Sequence, residues 1–180
     1  MEGADLTHPR LLALIACACY VSETIAWLDV PYVRQVQSGC GAAAIAMVVQ
    51  YWARHNPDLK DAAKETERIN EFLPASRRGI RGAALKDYLI RRGLDVYIFD
   101  GEVKDLRQHF LKGRPVIVCL GLSGPRGPLH YAVVVGVDER AVWLHDSARG
   151  KLIREELARF EKSWDVSGRW ALLAVPRPAG

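Results

Sequence analysis

The segment CGAAAIAMVVQYWA, residues 40–53, is apolar on almost every side apart from Gln50. A helix on a protein surface alternates apolar and polar faces with a period of 3.6 residues, and this segment has no polar face. It therefore predicts a helix that is buried inside a folded domain. Cys40 stands at its N-terminus, between Gly39 and Gly41.

The patterns on either side of this helix predict helices in the first half of the chain and strands in the second. Residues 28–33 (LDVPYV) are β-rich, and Pro31 favours an edge strand. Further helices are predicted over 58–72, 82–92, 103–111 and 155–164, and strands over 94–99, 115–120, 130–137, 141–145 and 169–175, with a short strand from Lys151. This order predicts an α+β domain with an N-terminal helical lobe and a C-terminal antiparallel sheet lobe.

Length and composition favour one ordinary globular domain. The chain has 180 residues, of which 49% are hydrophobic and 26% are charged, with a net charge of +4. The basic residues are spread along the sequence, whereas a nucleic-acid binder concentrates them with aromatic residues. The chain has no phosphate-binding loop or dinucleotide fingerprint. We therefore expect neither a nucleic-acid partner nor a nucleotide or other cofactor.

The four cysteines predict neither a disulfide framework nor a metal site. Cys17 and Cys19 are too close in sequence to pair comfortably, and no CxxC spacing occurs. Cys119 lies within the apolar run VIVCL, which is typical of a buried structural cysteine.

The N-terminal segment, residues 1–26, resembles a leader that precedes a domain over 27–180. Residues 11–22 are uncharged, too few to span a bilayer but long enough for the apolar region of a secretory signal. Residues 14–17 (LIAC) also resemble a lipoprotein cleavage site, which would tether the protein to a membrane. Because Glu2 and Asp5 outweigh Arg10, an N-terminal helix packed on the domain stays an alternative. The expectation is export to the periplasm or membrane surface of a bacterium, with a cytoplasmic location as the alternative.

Cys40 is the candidate nucleophile. The positive end of a helix dipole lowers the pKa of a thiol at the helix N-terminus. The free backbone N–H groups of the first turn can also stabilise an oxyanion.

A thiolate nucleophile needs an imidazole, and His130 and Asp146 are the best-placed partners. His130 begins an apolar strand after a loop rich in glycine and proline, and Asp146 ends the next strand. A turn at residues 138–140 would fold the end of the second strand back beside the start of the first. This geometry predicts that Asp146 lies next to His130. The other histidines, His8, His55, His109 and His145, lack such a pairing.

Three motifs, in this order, carry a family resemblance: a first one made of VPYVRQ (residues 30–35) and SGCGAAAIAM (38–47), then HYAVVVG (130–136), and then HDSARG (145–150). Together they resemble the papain-like double-glycine, or bacteriocin-processing, cysteine peptidase family over about residues 28–175. The resemblance implies a papain-like fold, Cys40 as nucleophile, His130 as general base and acid, and Asp146 as its orienter. It also implies that Gln35 contributes to the oxyanion hole, for which Gln37 is a nearby competitor. The implied substrate is a peptide or protein.

The sequence departs from the transporter-fused members of this family. Gly39, rather than aspartate, precedes Cys40, and the membrane spans and ATPase of those transporters are missing. It is more similar to the stand-alone branch, so cleavage after a double-glycine leader is left open.

Three other functions are compatible with the same residues. A catalytically silent relative would bind a peptide without cutting it, and an acyltransferase would pass the acyl group to an amine. Cys40, His130, His145 and Asp146 are also residue types that bind zinc, although their spacing does not favour a metal site. The sequence makes no prediction of the oligomeric state.

Overall fold

The helical half of the molecule precedes the sheet. The computed structural model describes residues 27–73, 79–124 and 126–178, so the predicted leader lies outside the described residues. The helices are α1 (Cys40–Ala53), α2 (Lys60–Glu65), α3 (Ile69–Phe72), α4 (Gly82–Arg91), α5 (Val103–Leu111) and α6 (Leu157–Asp165), with short 3₁₀ turns at Pro57–Leu59 and Thr66–Arg68. Gly93, at φ +85°, follows α4 in the left-handed conformation that ends helices.

Six strands form one antiparallel sheet. They are β1 (Leu94–Asp100), β2 (Val116–Gly121), β3 (Leu129–Val137), β4 (Ala141–Asp146), β5 (Gly150–Glu156) and β6 (Trp170–Pro176). The strand order is β1-β6-β2-β3-β4-β5, and every neighbouring pair is antiparallel. The predicted α+β architecture, with a helical part followed by an antiparallel sheet, is confirmed.

The core lies on both faces of this sheet. Helix α1 packs on one face, where Ile117 and Val133 join its apolar side chains. Helices α5 and α6 cover the opposite face, where Val116 and Val118 meet Phe160. The buried strands are apolar on both faces for this reason, and α1 is enclosed as its sequence predicts.

Two predictions about individual elements are wrong. Residues 28–33 do not form a strand, although Leu28 N–H donates to the Val135 carbonyl oxygen at 2.7 Å. The helix predicted over 58–72 is divided into α2, a 3₁₀ turn and α3. At the break, the Thr66 hydroxyl donates to the Ala63 carbonyl oxygen and accepts from Gln50, so local side-chain bonds compete with a regular helix.

The hairpin of β3 and β4 is formed as predicted. Asp138 accepts hydrogen bonds from the backbone N–H groups of Arg140 and Ala141, which closes the turn. The pairing between the two strands shifts between Val134 and Gly136, so Val135 is an extra residue of β3 without a partner in the register with β4. The hairpin brings the start of β3 beside the end of β4.

Candidate active site

Cys40 occupies the first position of α1 and is buried, with 8% of its surface exposed. No acidic residue lies in the first turn of this helix. The positive end of the helix dipole therefore acts on the thiol without a neighbouring carboxylate to oppose it.

His130 connects Cys40 to Asp146. Its Nε2–H donates to Oδ1 of Asp146 at 2.9 Å, and its ring also makes a hydrogen bond with the Cys40 side chain. Because Nε2 faces the carboxylate, Nδ1 is the nitrogen left for the thiol. The three side chains that the sequence singled out are thus in contact in the order Cys40, His130, Asp146.

Asp146 is fixed by its own turn. Only 1% of its surface is exposed, and Oδ1 also accepts the backbone N–H groups of Ala148 and Arg149 at 3.0 and 3.1 Å. Nη1 of Arg149 lies 3.8 Å from Oδ2. A buried carboxylate held by this many donors remains charged.

The pKa shifts favour a thiolate–imidazolium pair. Burial raises the pKa of Cys40, but the hydrogen bond and the charge of His130, together with hydrogen bonds to the Tyr131 and Gly41 backbone, outweigh it, so the thiol pKa lies below its ordinary value. Burial lowers the pKa of His130, but hydrogen bonds to Asp146 and Cys40 raise it to about 9. Burial raises the pKa of Asp146, and the His130 hydrogen bond again reverses the direction. Each group stabilises the charged form of its neighbour.

Gln35 shares a cleft of about 460 Å³ with Cys40 and His130. The remaining lining residues are Ser38, Gly79, Pro128 and Leu129. Oε1 of Gln35 accepts a hydrogen bond from the Ser147 hydroxyl, so its amide NH₂ is the group left to face the cleft. Gln37 is exposed and does not line this cleft.

His145 has a different environment from its neighbour Asp146. Its Nε2–H donates to the Val30 carbonyl oxygen at 2.9 Å, and its Nδ1 accepts the Leu152 N–H at 3.2 Å. Both ring nitrogens are therefore engaged by backbone, and burial lowers the pKa of this histidine. In the part of the chain that the structure describes, no group of three or more His, Cys, Asp or Glu side chains is arranged to hold a metal ion.

The other candidate cysteines and histidines lie away from the cleft or outside the described residues. Cys119 is buried on β2, and burial raises the pKa of its thiol to about 12, which disfavours the thiolate. His55 is exposed and contacts the Tyr51 carbonyl oxygen. Cys17, Cys19 and His8 lie outside the described residues. Within the described ranges, no helix is long and apolar enough to cross a membrane.

Sequence reasoning missed two residues that support the site. Ser147 bonds Gln35, and the Tyr32 hydroxyl donates to the carbonyl oxygens of Asp146 and Ser147 at 3.3 and 3.4 Å. Residue 147 is a serine in a turn, a common pattern that carries no signal of a partner 112 positions away.

Comparison with known proteins finds one matching family model and a curated relative. The family model described as "Peptidase_C39 like family" matches residues 27–172. A curated relative is the lactococcin-G-processing and transport ATP-binding protein LagD of Lactococcus lactis subsp. lactis, 23% identical over 145 residues. The match covers 81% of this chain but spans only 18% of the length of LagD.

Solved structures of related proteins share the fold. A double-glycine motif protease from an AMS/PCAT transporter, crystallised with its leader peptide, aligns with a TM-score of 0.65 at 22% identity, covering 86% of this chain and 96% of that one. The peptidase domain of Streptococcus ComA aligns at 0.63 and 20% identity, with coverages of 81% and 98%. A C39-like peptidase from Bacillus anthracis aligns at 0.62 and 17% identity, with coverages of 85% and 98%. The expected papain-like C39 peptidase fold is confirmed.

Proposed function

This chain belongs to the Peptidase C39-like family, and from that premise we propose that it is a cysteine endopeptidase with a Cys40-His130-Asp146 triad. The observation that carries the proposal is the position of His130, which hydrogen-bonds both Cys40 and Asp146. A silent peptide-binding relative has no need of a thiol whose pKa is lowered beside an oriented imidazole.

In the first half of the reaction, the Cys40 thiolate attacks the carbonyl carbon of the peptide bond. The amide NH₂ of Gln35 and the backbone N–H of Cys40 stabilise the resulting oxyanion. The His130 imidazolium gives its proton to the leaving amine, the C–N bond breaks, and a thioester with Cys40 remains.

In the second half, water hydrolyses the thioester. Neutral His130 takes a proton from the water, whose oxygen attacks the acyl carbon. The C–S bond breaks, the acid product leaves, and the thiolate–imidazolium pair forms again. Asp146 holds the ring and stabilises its positive charge throughout.

We propose a peptide or protein as the substrate. The cleft is open to solvent beside Leu129, whose surface is 55% exposed, so an extended peptide can reach the thiol. The related double-glycine motif protease was crystallised with a leader peptide, which makes leader-like peptides the first class to try. Paired peptides with and without a double glycine before the cleavage site test whether this chain shares that specificity.

We also propose that the protein is exported, on the basis of the uncharged segment over residues 11–22. The mass of the mature N-terminus, measured after expression with its native leader in a bacterium, distinguishes a cleaved, a lipidated and a retained segment.

The central test is alkylation of Cys40 by a thiol reagent, followed by mass mapping. We expect rapid labelling of Cys40 in the wild type, much slower labelling in His130→Ala, and wild-type labelling in the control His55→Ala, which alters an exposed histidine. Equal rates in the wild type and His130→Ala would exclude His130 as the base.

Peptide hydrolysis is then measured with a peptide library, using Cys40→Ala as the blank. Hydrolysis that persists in Cys40→Ala would contradict the proposed nucleophile. Product masses with and without an added amine separate hydrolysis from acyl transfer, since transfer leaves the amine on the acyl product.

A further inference from the structure

Ser147 lies directly after Asp146 and is completely buried, with 0% of its surface exposed. Its hydroxyl donates to Oε1 of Gln35 at 2.9 Å, and its carbonyl oxygen accepts the Gln35 backbone N–H at 3.1 Å. We propose that Ser147 is a positioning residue that orients the Gln35 amide toward the oxyanion. This inference rests on the proposed acyl chemistry and deepens it.

The chemistry of the amide makes its orientation decisive. A glutamine amide has one oxygen that accepts and one NH₂ that donates, and rotation by 180° exchanges them. With the oxygen bound by the Ser147 hydroxyl, the NH₂ faces the cleft that also contains Cys40. The reverse orientation would present an oxygen to a developing negative charge, which is repulsive. The hydrogen bond that the Ser147 hydroxyl donates to Oε1 therefore holds the amide in the productive rotamer.

The segment that carries Gln35 needs such a partner. Residues 27–37 contain no helix or strand hydrogen-bond ladder that would fix them. The turn at Asp146 and Ser147 replaces that ladder through the Gln35 N–H, the Gln35 side chain and the Tyr32 hydroxyl. Without the Ser147 hydroxyl, the backbone bond remains but the amide is free to rotate.

The same turn also supports the other half of the site. Asp146 orients His130, and the next residue orients Gln35. His130, which transfers the proton, and Gln35, which faces the oxyanion, are thus bonded to two consecutive residues. The backbone of Asp146 and Ser147 therefore sets their relative position.

The experiment compares Ser147→Ala, Gln35→Ala and the double variant. For Gln35→Ala we expect a loss in kcat of about 10²–10³-fold, as for loss of one oxyanion donor. For Ser147→Ala we expect a loss of about 10-fold in kcat with KM unchanged, because the donor is present but misoriented for part of the time. The affinity for a peptide aldehyde, whose hemithioacetal adduct places an oxygen at the oxyanion position, should fall by a similar factor.

The double variant is the decisive measurement. If Ser147 acts through Gln35, adding Ser147→Ala to Gln35→Ala costs no further activity. Two losses that multiply would overturn the proposal. The rate of Cys40 alkylation should remain at the wild-type value in Ser147→Ala, because the thiolate and His130 are untouched, whereas a general disturbance of the site would lower both.

A matched pair keeps the test independent of folding. Ser147→Thr and Ser147→Val add the same volume to a buried site but differ in the hydroxyl, so any packing strain is common to both. We expect the threonine variant to exceed the valine variant in kcat and in aldehyde affinity, and equal values would overturn the proposal. Ser163→Ala, which removes the hydroxyl bond to the Gly121 carbonyl oxygen, is the control and should retain wild-type kcat.

The outcome is distinguishable from failure of the proposed function. If Cys40→Ala hydrolyses peptides as well as the wild type, the nucleophile is wrong, whatever Ser147 does. If Cys40→Ala is inactive and the double variant shows multiplying losses, the peptidase stands and only the role of Ser147 is refuted.

Discussion

Nε2 of His130 lies 2.9 Å from Oδ1 of Asp146, and both side chains are almost completely buried. A hydrogen bond between an imidazole and a carboxylate is strong where water does not compete for either group. It fixes the ring so that Nδ1 remains for Cys40, and it favours the imidazolium form. The β3–β4 hairpin, by holding His130 against Asp146, therefore influences the protonation state of the Cys40 thiol.

Replacing Asp146 with asparagine tests this link. The side chain keeps an oxygen that can accept the Ala148 and Arg149 N–H groups, so we expect the variant to fold with a melting temperature close to that of the wild type. The negative charge is lost, and because the oxygen that holds the turn is the one that faces His130, the ring keeps an acceptor but its imidazolium form loses the stabilising charge. Turnover should fall by about 10–100-fold or more, measured as kcat with a cleavable peptide.

Asp138→Asn is the matched control for Asp146→Asn. The Asp138 carboxylate likewise accepts two backbone N–H groups, here in the β3–β4 turn, and both of these side-chain hydrogen bonds stay within that turn. It should keep wild-type turnover. If Asp146→Asn cuts at the wild-type rate, Asp146 is a turn residue and another group orients His130.

The pKa shifts predict different pH profiles for two reactions of Cys40. The pKa of Cys40 is below its ordinary value, so alkylation should begin at a lower pH than for a free thiol and then reach a plateau. Peptide hydrolysis also needs the proton of His130, whose pKa is raised to about 9. We therefore expect kcat/KM for hydrolysis to fall as the pH rises through about 9, while alkylation does not fall.

Both profiles are measured on the wild type and on Asp146→Asn. Loss of the carboxylate removes a cause of the raised His130 pKa, so the alkaline limb of hydrolysis should move to lower pH. An alkaline limb that stays in place in Asp146→Asn would show that His130 does not control it.

The sequence predicts the parts of the site that depend on local pattern. The apolar run from Cys40 predicts a buried helix, and the turn residues 138–140 between two apolar segments predict the hairpin that joins His130 to Asp146. The contact between Gln35 and Ser147 could not be predicted, because it depends on where an irregular segment lies against a turn 112 positions away. Residues 28–33 have strand-like composition, yet Pro31 lacks a backbone N–H and the Val30 N–H bonds back to the Leu28 carbonyl oxygen, so the segment forms no strand ladder.

The buried ring of His145 predicts that the free energy of unfolding depends on pH, independently of catalysis. Its buried ring is held between the Val30 carbonyl oxygen and the Leu152 N–H, and its pKa is lowered in the folded state. Below the unfolded pKa of about 6.5, the unfolded chain binds the proton more readily than the folded chain. Stability should therefore be fully present above this pH and decline as the pH falls below it, with a slope from this residue of at most about 1.4 kcal/mol per pH unit.

Urea unfolding of the wild type and His145→Gln between pH 5 and 8, about the histidine range, measures this contribution as a difference. The variant should have a shallower decline toward acid, although it is less stable at neutral pH. His55→Gln alters an exposed histidine and should keep the wild-type slope. The assignment fails if His145→Gln declines as steeply as the wild type.

The exposed position of Leu129 in the cleft predicts how the cleft selects peptides. It precedes His130 on β3, lines the cleft and leaves 55% of its surface exposed. An exposed apolar side chain at this place contributes little to folding but can be covered by an apolar side chain of a bound peptide. For Leu129→Ser we expect KM to rise by about 3–30-fold for apolar peptides, with kcat unchanged, because the lost contact is made equally in the bound and transition states. Leu111→Ser removes an even more exposed leucine, at 76% exposure, that does not line the cleft, and should leave KM at the wild-type value. Equal KM values for the two variants, or a fall in kcat in Leu129→Ser alone, would show that Leu129 does not bind the peptide in this way.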